Sequence, residues 1–252
     1  MKRVLSQQLP NKNNAIELSK EESHHLITVL RTKQNELIEV LDGAGSSVIA
    51  KAEVYLNSVV LHFHDKGKNI STSNFPLHIF AAVLKSHSME LIIEKSVELG
   101  VQSFTPIIAS HSVPKLDKKG GDFFMSRWQK IADQSLKQCG RLHKMQVNHP
   151  VRLSDAFNLK TMDHASLFVC DEALKPTDSC LSQVLFKSIP KITKACIFVG
   201  PEGGWSQDER DFFTDKSNSF NLTSVHLGSL ILRAETAVIY VSSIFNAYFS
   251  NR

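Results

Sequence analysis

Two short segments of this chain carry residues that could bind a ligand and act on it. The first, residues 200–205 (GPEGGW), follows an apolar run and precedes a helix-start signature, Ser206-x-x-Glu209. Open α/β sheets bind ligands between a strand end and a helix start, and glycines there let a ligand approach the backbone. The segment lacks the patterns of dinucleotide and triphosphate sites. Glu202 would suit a cationic or hydroxyl-rich ligand; the alternative is a structural tight turn.

The second segment, residues 227–236 (LGSLILRAET), also joins a predicted strand to a helix. It holds Arg233, Glu235 and Thr236 among apolar residues, where charged groups are costly to bury unless they are paired. A local Arg233–Glu235 pair with a helix cap is the alternative interpretation. The helix that follows is apolar nearly all round, so it must be covered on every side, and a subunit interface would supply that cover.

The elements that must position these segments begin at Leu77, where strands and helices alternate. This alternation predicts an α/β fold with a parallel sheet covered on both faces. The predicted strands are 77–84, 103–109, 166–170, 195–199 and 224–227, and the main predicted helices are 86–99 and one ending near Cys139.

Residues 1 to about 72 have a different rhythm, with short strands at close spacing and one helix that opens at the capping box Ser19-x-x-Glu22 and runs to Arg31. Such spacing is typical of a small barrel. The polar stretch 65–76 is the predicted linker between two domains, 1–72 and 73–252.

Charge is unevenly distributed along the 252 residues, whose formal net charge is +4. Residues 115–152 hold nine Lys or Arg and three Asp, so this stretch is +6 and the remainder is −2. A nucleic-acid surface and a solvated face are both compatible with it. The four cysteines form no close pair, and no HExxH is present. No run suits a membrane span or a signal peptide, so we expect a cytoplasmic protein.

The two segments and their surroundings resemble the SPOUT methyltransferases, and more narrowly the bacterial family that methylates uridine N3 in 16S ribosomal RNA. GPEGG and LRxET are specific in combination, and weaker similarity occurs at residues 29–31 and 115–117. The main matching stretches are residues 94–101 (EKSVELGV), 138–141 (QCGR), 198–204 (FVGPEGG), 227–228 (LG) and 232–236 (LRAET).

The resemblance implies a PUA-like RNA-binding β-barrel over residues 1–72 and a SPOUT domain over 73–252 with a C-terminal trefoil knot, an exception to the rule against knotting. It implies a homodimer through the last helix. The methyl donor would be S-adenosylmethionine, which carries a sulfonium, an amine and a ribose, with no metal. The partner would be 16S ribosomal RNA or the small ribosomal subunit, and no membrane.

The same resemblance implies roles for individual residues. Arg233 would stabilise negative charge on the uracil oxygens, and Glu235 would take the N3 proton or orient Arg233. The RNA phosphates would be bound by Arg31, Lys130, Lys137 and Arg141. The donor would be bound by Phe198, Val199, Gly200, Glu202, Gly203, Leu227, Gly228, Leu232, Arg233 and Thr236.

Three positions depart from the family pattern. Leu230 and His111 stand where the family has Arg, and Lys137 stands where it has an acidic residue. Two other functions therefore stay open. One is a related knotted methyltransferase that modifies ribose 2′-hydroxyls or transfer RNA. The other is an RNA-binding module without catalysis, which Leu230 favours.

Overall fold

The computed structural model describes residues 1–70, 76–112, 118–175, 177–187 and 192–250, with side chains of the helix that begins at Lys118 described from Phe123 onward. The chain divides into two compact units. One comprises Met1–Ser73 and Asp133–Lys144, and the other comprises Asn74–Ala132 and Met145–Arg252. The segment Asp133–Lys144, assigned from sequence to the second domain, therefore belongs to the first unit.

The first unit is a five-stranded sheet in the order β1-β3-β4-β5-β2, in which β1 pairs with β3 in parallel and the other pairs are antiparallel. Its core includes Val4, Leu26, Ile38 and Leu61, all fully buried. The elements are β1 (Lys2–Leu5), β2 (Ile16–Glu17), α1 (Lys20–His24) continued by a π-helical turn (His25–Val29), β3 (Leu37–Leu41), β4 (Ser46–Val54) and β5 (Val59–Asn69).

Ion pairs and hydrogen bonds explain why Asp133–Lys144 packs in the first unit. The predicted capping box at the start of α1 forms only in part. Ser19 Oγ accepts from the backbone N–H of Glu22, but the Glu22 carboxylate accepts from Lys137 Nζ at 2.6 Å. Arg3 pairs with Glu39 at 2.8 Å and donates to the carbonyls of Lys137 and Gln138. These carbonyls end a helix, where a cation is favourable.

The predicted linker begins too early. Residues 65–69 belong to β5, where Asp65 pairs with Ile49 and Asn69 with Ser46 across irregular positions of the ladder. All five positions are exposed, so their polarity reflects a strand end that is solvated on both faces and not a loop. Residues 71–75 of the predicted linker lie outside the described residues.

The second unit is a seven-stranded parallel sheet in the order β12-β10-β11-β6-β7-β8, with β9 also paired to β7. Its elements are β6 (Leu77–Ala82), α2 (Ser86–Glu98), β7 (Ser103–Ile108), α3 (Lys118–Cys139), β8 (Gln146–Val147), β9 (Val151–Arg152), α4 (Leu153–Ala156), a 3-10 turn (Lys160–Met162), β10 (Ser166–Cys170), α5 (Leu181–Lys187), β11 (Ala195–Val199), α6 (Gln207–Ser217), β12 (Leu222–Val225) and α7 (Ala234–Ser250).

The predicted α/β alternation is confirmed. All residues of β6 and β11 are buried, as expected for central strands covered on both faces. The predicted bounds of β10 and β11 match the structure, but β12 spans Leu222–Val225 and not 224–227. Its ladder with β10 stops where Val225 meets Cys170, the last residue of β10. Beyond it, His226 forms only an isolated bridge with Cys180, and Leu227 lies in the loop.

Helix α7 buries one face, which includes Val238, Val241 and Phe245. The prediction that it is apolar nearly all round is only partly correct, because Thr236, Ser243 and other small or polar side chains are exposed on the other face. Tyr240 lies on that face and is 36% exposed. No helix among the described residues is long and apolar enough to cross a membrane.

His78 of β6 makes the stability of the second unit depend on pH. It is buried, with Nδ1 2.7 Å from Ser103 Oγ. Burial, and then the charge of Lys194, lowers the pKa of His78 from 6.5 to about 4. As the pH falls, this histidine is protonated in the unfolded chain at a higher pH than in the folded protein. Stability from this group is therefore complete above pH 6.5 and is lost as pH falls toward 4, by at most about 3 kcal/mol.

We expect His78→Asn, which keeps a hydrogen-bonding group and removes the titration, to weaken this dependence. Between pH 7 and pH 5 the wild type should lose about 2 kcal/mol more unfolding free energy than the variant. Urea unfolding followed by tryptophan fluorescence measures this, because Trp128 and Trp205 both lie in the second unit. The exposed His64→Asn control should keep the wild-type slope; equal slopes for wild type and His78→Asn would contradict the assignment.

Candidate active site

A concave site of the second unit lies at the carboxyl ends of β10, β11 and β12. Because β10 lies between the other two strands, residues 171–172 lie between the segments that follow β11 and β12. The cavity has a volume of about 290 Å³. Both segments singled out from sequence line it, together with Cys170, Asp171, Glu172, Leu174 and His226.

The cavity brings together most of the predicted donor-binding residues, and their role stays a prediction. The residues that line it are Val199, Gly200, Glu202, Leu227, Gly228, Leu232 and Arg233. Phe198 does not line it but is fully buried and stacks on Phe80 and Phe157 with centroids 5.0 and 5.3 Å apart. Gly203, Glu235 and Thr236 are also outside the lining, and Thr236 is exposed.

The segment 200–206 is fixed from several sides. The Trp205 indole is 1% exposed, donates to the Cys170 carbonyl at 2.9 Å and lies against Gly200, where a Cβ would meet its ring at 3.1 Å. His111 Nδ1 donates to the carbonyls of Gly203 and Gly204 at 3.1 and 3.0 Å. The loop is therefore held in one conformation by the core and by the segment after β7.

The helix after this loop begins with the predicted capping box. Ser206 Oγ accepts from the Glu209 backbone, and the Glu209 carboxylate accepts from the Ser206 backbone at 2.8 Å. The same carboxylate accepts from Ser110 N at 2.8 Å. One buried glutamate thus ties the start of α6 to the chain that follows β7.

Arg210 of α6 holds the carboxylates at the end of β10. Its Nε lies 3.2 and 3.3 Å from the two Asp171 oxygens, and its Nη2 lies 2.6 Å from Glu172 Oε1. Glu172 covers Gly204, where a Cβ would overlap the carboxylate and where φ is +70°. Only glycine fits that position without strain.

The segment 227–233 has few such contacts. Gly228 O accepts from His226 Nδ1 at 3.2 Å, and Arg233 O accepts from Ala237 N at the start of α7. Across the described stretch 229–232 no hydrogen bond to protein is present. Leu230 and Ile231 are 78% and 81% exposed. Backbone N–H groups at the cavity mouth are therefore available to a ligand.

Arg233 and Glu235 do not form the local pair considered from sequence, since no ion pair joins these two described residues. Arg233 is exposed and lines the cavity. One Glu235 oxygen, Oε2, is buried without a hydrogen-bond partner. The guanidinium at the cavity is thus available for a bound group.

The predicted phosphate-binding residues belong to other parts of the chain. Arg31 and Lys130 are exposed, and Arg31 has φ +48°. Lys137 is 13% exposed and is paired with Glu22, so a phosphate there would compete with a carboxylate. Burial lowers the pKa of Arg141 to about 10. These roles stay predictions.

Two further cations in the described part of the basic stretch 115–152 are paired with carboxylates. Arg127 pairs with Glu90 at 2.6 Å and Lys144 with Asp133 at 3.2 Å. Residues 113–117, with the predicted similarity at Lys115, lie outside the described residues. Surface pairs of this kind lower the local charge that a nucleic acid would meet.

Sequence analysis missed Asp171, Glu172 and His226 as cavity residues. A signal existed for the first two, because they directly follow a correctly predicted parallel strand and polar residues there face the ligand crevice. His226 was assigned to a strand that ends one residue earlier. No group of three or more His, Cys, Asp or Glu that could hold a metal ion occurs in the described part of the chain.

Comparison with known proteins identifies the family of this chain. Residues 71–246 match the RNA methyltransferase domain family. Ribosomal RNA small subunit methyltransferase E 2 of Borreliella burgdorferi is 30% identical over 225 residues, which cover 89% of this chain and 87% of that protein. This chain belongs to the ribosomal RNA small subunit methyltransferase E family.

Another relative and two solved structures agree with this chain in length and fold. The Bacillus subtilis member is 28% identical over 88% of this chain and 86% of its own. Legionella pneumophila Lpg2936, solved with the cofactor SAM, matches at TM-score 0.82 and 27% identity over 97% of this chain and 96% of its own. The Neisseria gonorrhoeae member, solved with S-adenosyl methionine, shares the fold at TM-score 0.84 and 23% identity, with 96% of each chain covered.

The close approach of Glu172 to Gly204 gives a stability prediction. Gly204→Ala should lower the unfolding free energy by about 2–3 kcal/mol, of which about 1 kcal/mol is the left-handed backbone and the rest the overlap with Glu172. In a Glu172→Ala background only the backbone part should remain.

Urea unfolding followed by tryptophan fluorescence, with all four combinations of the two changes, measures the coupling. Gly228→Ala is the control, since φ is +149° there but no atom lies within 4 Å of the added Cβ. We expect a smaller loss of stability for it. A Gly204→Ala effect that is the same in both backgrounds would rule out the contact as its cause.

Proposed function

We propose that the chain transfers a methyl group from S-adenosylmethionine to N3 of a uridine in 16S ribosomal RNA of the small subunit, in the cytoplasm. The observation that carries this proposal is that the GPEGG and LRxET segments line one cavity, although more than 25 residues separate them. Membership of the methyltransferase E family supports the substrate class. The SAM-bound Lpg2936 structure supports the donor.

The cavity residues fit S-adenosylmethionine. Leu227, Leu232 and Ala237 give an apolar wall suited to an adenine, and the segment 229–232 offers unbonded backbone N–H groups. Glu172 and Glu202 provide negative charge for a cationic ligand. When bound, the donor supplies a methyl group activated by a positively charged sulfur, so no metal is needed.

Arg233 would stabilise the reaction on the uracil side. Its guanidinium stays protonated and cannot act as a base, but it can stabilise the negative charge that grows on the uracil oxygens as the N3 proton leaves. The uridine must be unpaired or flipped out, because N3 lies on the pairing edge. Glu235, which neither lines the cavity nor pairs with Arg233, would have to approach the uridine to accept the proton or approach Arg233 to orient it.

The wider architecture is also part of the proposal. Residues 1–72 would be a PUA-like RNA-binding barrel, with which Asp133–Lys144 packs, and the remainder of 73–252 would be a SPOUT domain with a C-terminal trefoil knot. The five-stranded sheet of the first unit and the strand order of the second support this assignment. A homodimer would cover the exposed face of α7 around Tyr240. Arg31, Lys130, Lys137 and Arg141 would bind RNA phosphates.

The function is tested by incubating the purified protein with S-adenosylmethionine labelled in the methyl group and small ribosomal subunits that lack the modification. Digestion of the RNA and mass spectrometry should then show labelled 3-methyluridine. Label in 2′-O-methyl nucleosides or in transfer RNA would assign the chain to a related knotted enzyme. Absence of donor binding in calorimetry would leave an RNA-binding module.

The role of Arg233 gives a kinetic prediction. Arg233→Ala should lower kcat by about 100-fold and change donor affinity by less than about threefold, because the lost contact acts mainly in the transition state. Arg233→Lys should recover part of the rate. Arg152→Ala, an exposed cation of the same unit, is the matched control and should leave kcat unchanged. Full turnover of a folded, donor-binding Arg233→Ala protein would exclude the role.

A further inference from the structure

Glu172 differs from the other carboxylates at the cavity in how its two oxygens are used. Both Asp171 oxygens lie within 3.3 Å of Arg210 Nε, and Oδ1 also accepts from Ala173 N at 3.0 Å. Glu202 is exposed at the rim. Glu172 binds Arg210 through Oε1 at 2.6 Å, and its Oε2 has no hydrogen-bond or ion-pair partner among the described residues.

The position of Glu172 is fixed although part of it is accessible. Arg210 holds one oxygen from one side, and Gly204 lies against the carboxylate on another, with no room for a Cβ between them. The side chain is 35% exposed, and the residue lines the cavity. A carboxylate held in this way keeps its negative charge at the cavity wall without having to reorganise when a ligand enters.

We infer that Glu172 is a specificity-determining residue that favours the positively charged methyl donor over its neutral product, with Arg210 as its positioning residue. This inference rests on the proposed function. In the reaction the bond between sulfur and the methyl carbon breaks, its electron pair stays on sulfur, and the methyl carbon bonds to uridine N3, which releases its proton to water. The sulfonium becomes a neutral thioether, so the ligand loses one positive charge.

A fixed carboxylate near the ligand acts on this difference. The carboxylate attracts the positively charged sulfur of the donor, whereas the sulfur of the product carries no charge. Because the site is partly buried, solvent screens this attraction less than it would in open water. The product is therefore released more readily than the donor. The only cavity-lining guanidinium among the described residues, Arg233, has the opposite sign and is assigned to the uracil.

The test is calorimetric binding of three ligands to the full chain: S-adenosylmethionine, S-adenosylhomocysteine, and sinefungin, which carries an amine in place of the sulfonium. Glu172→Gln keeps the shape and an oxygen that can accept from Arg210, and removes the charge. We expect it to weaken binding of the two cationic ligands about three- to tenfold and to leave S-adenosylhomocysteine within about twofold.

Two further variants make the test sharper. Asp208→Asn removes one negative charge from α6 outside the cavity lining. It should not change the ratio of the affinity for S-adenosylmethionine to the affinity for S-adenosylhomocysteine. Arg210→Lys keeps a positive charge but cannot contact both carboxylates as a guanidinium does. It should therefore reduce the preference for S-adenosylmethionine over S-adenosylhomocysteine. Tryptophan fluorescence confirms that each variant is folded.

If Glu172→Gln weakened the binding of all three ligands equally, the inference would be overturned. The side chain would then shape the cavity without distinguishing charged from uncharged ligands. No change in any affinity would overturn it as well. A wild-type protein that binds none of the three ligands would instead overturn the proposed function on which the inference rests.

Discussion

The pairing of β10 with β11 on one side and β12 on the other decides where this protein can bind a ligand. Cys170 is opposite Val199 in one pair and opposite Val225 in the other, so the three strands end at the same level. The chain leaves β10, adds β11 on one side and returns to add β12 on the other. A crevice opens where strand order reverses in this way. Segments far apart in sequence meet there because of backbone pairing alone.

The two loops at this crevice have different degrees of internal support. The loop after β11 is fixed by Trp205 in the core, by His111 and by Glu172, so its glycines hold a set conformation before any ligand arrives. The loop after β12 leaves residues 229–232 without hydrogen bonds. Because the loop after β11 is already rigid, less of the site has to become ordered when a ligand binds. The loop after β12 has unbonded backbone N–H groups that can donate hydrogen bonds to a ligand.

Periodicity and strand-end rules were sufficient to predict the framework of the second unit, including the full extents of β10 and β11, because buried parallel strands are short apolar runs with clear ends. They were insufficient where a distant partner decides the outcome. Glu22 follows the capping-box pattern, but its carboxylate binds Lys137, over 100 residues away. The same contact moves the end of α3 into the first unit, which helical periodicity alone could not indicate.

The sequence indicated several of the glycines and the arginine that line the cavity. It did not indicate which charged side chains pair with one another there. Local sequence left a pair between Arg233 and Glu235 open as an alternative, yet they form no pair. Asp171 and Glu172 instead contact Arg210, which lies on α6. With three carboxylates and the guanidiniums of Arg233 and Arg210, the cavity region has a charge of −1. Leu230, which is exposed at the mouth, adds no cation there. A polyanion is therefore not attracted into this cavity by its charge. In the proposed function, the RNA phosphates would be held by basic residues elsewhere while one uncharged base enters the cavity.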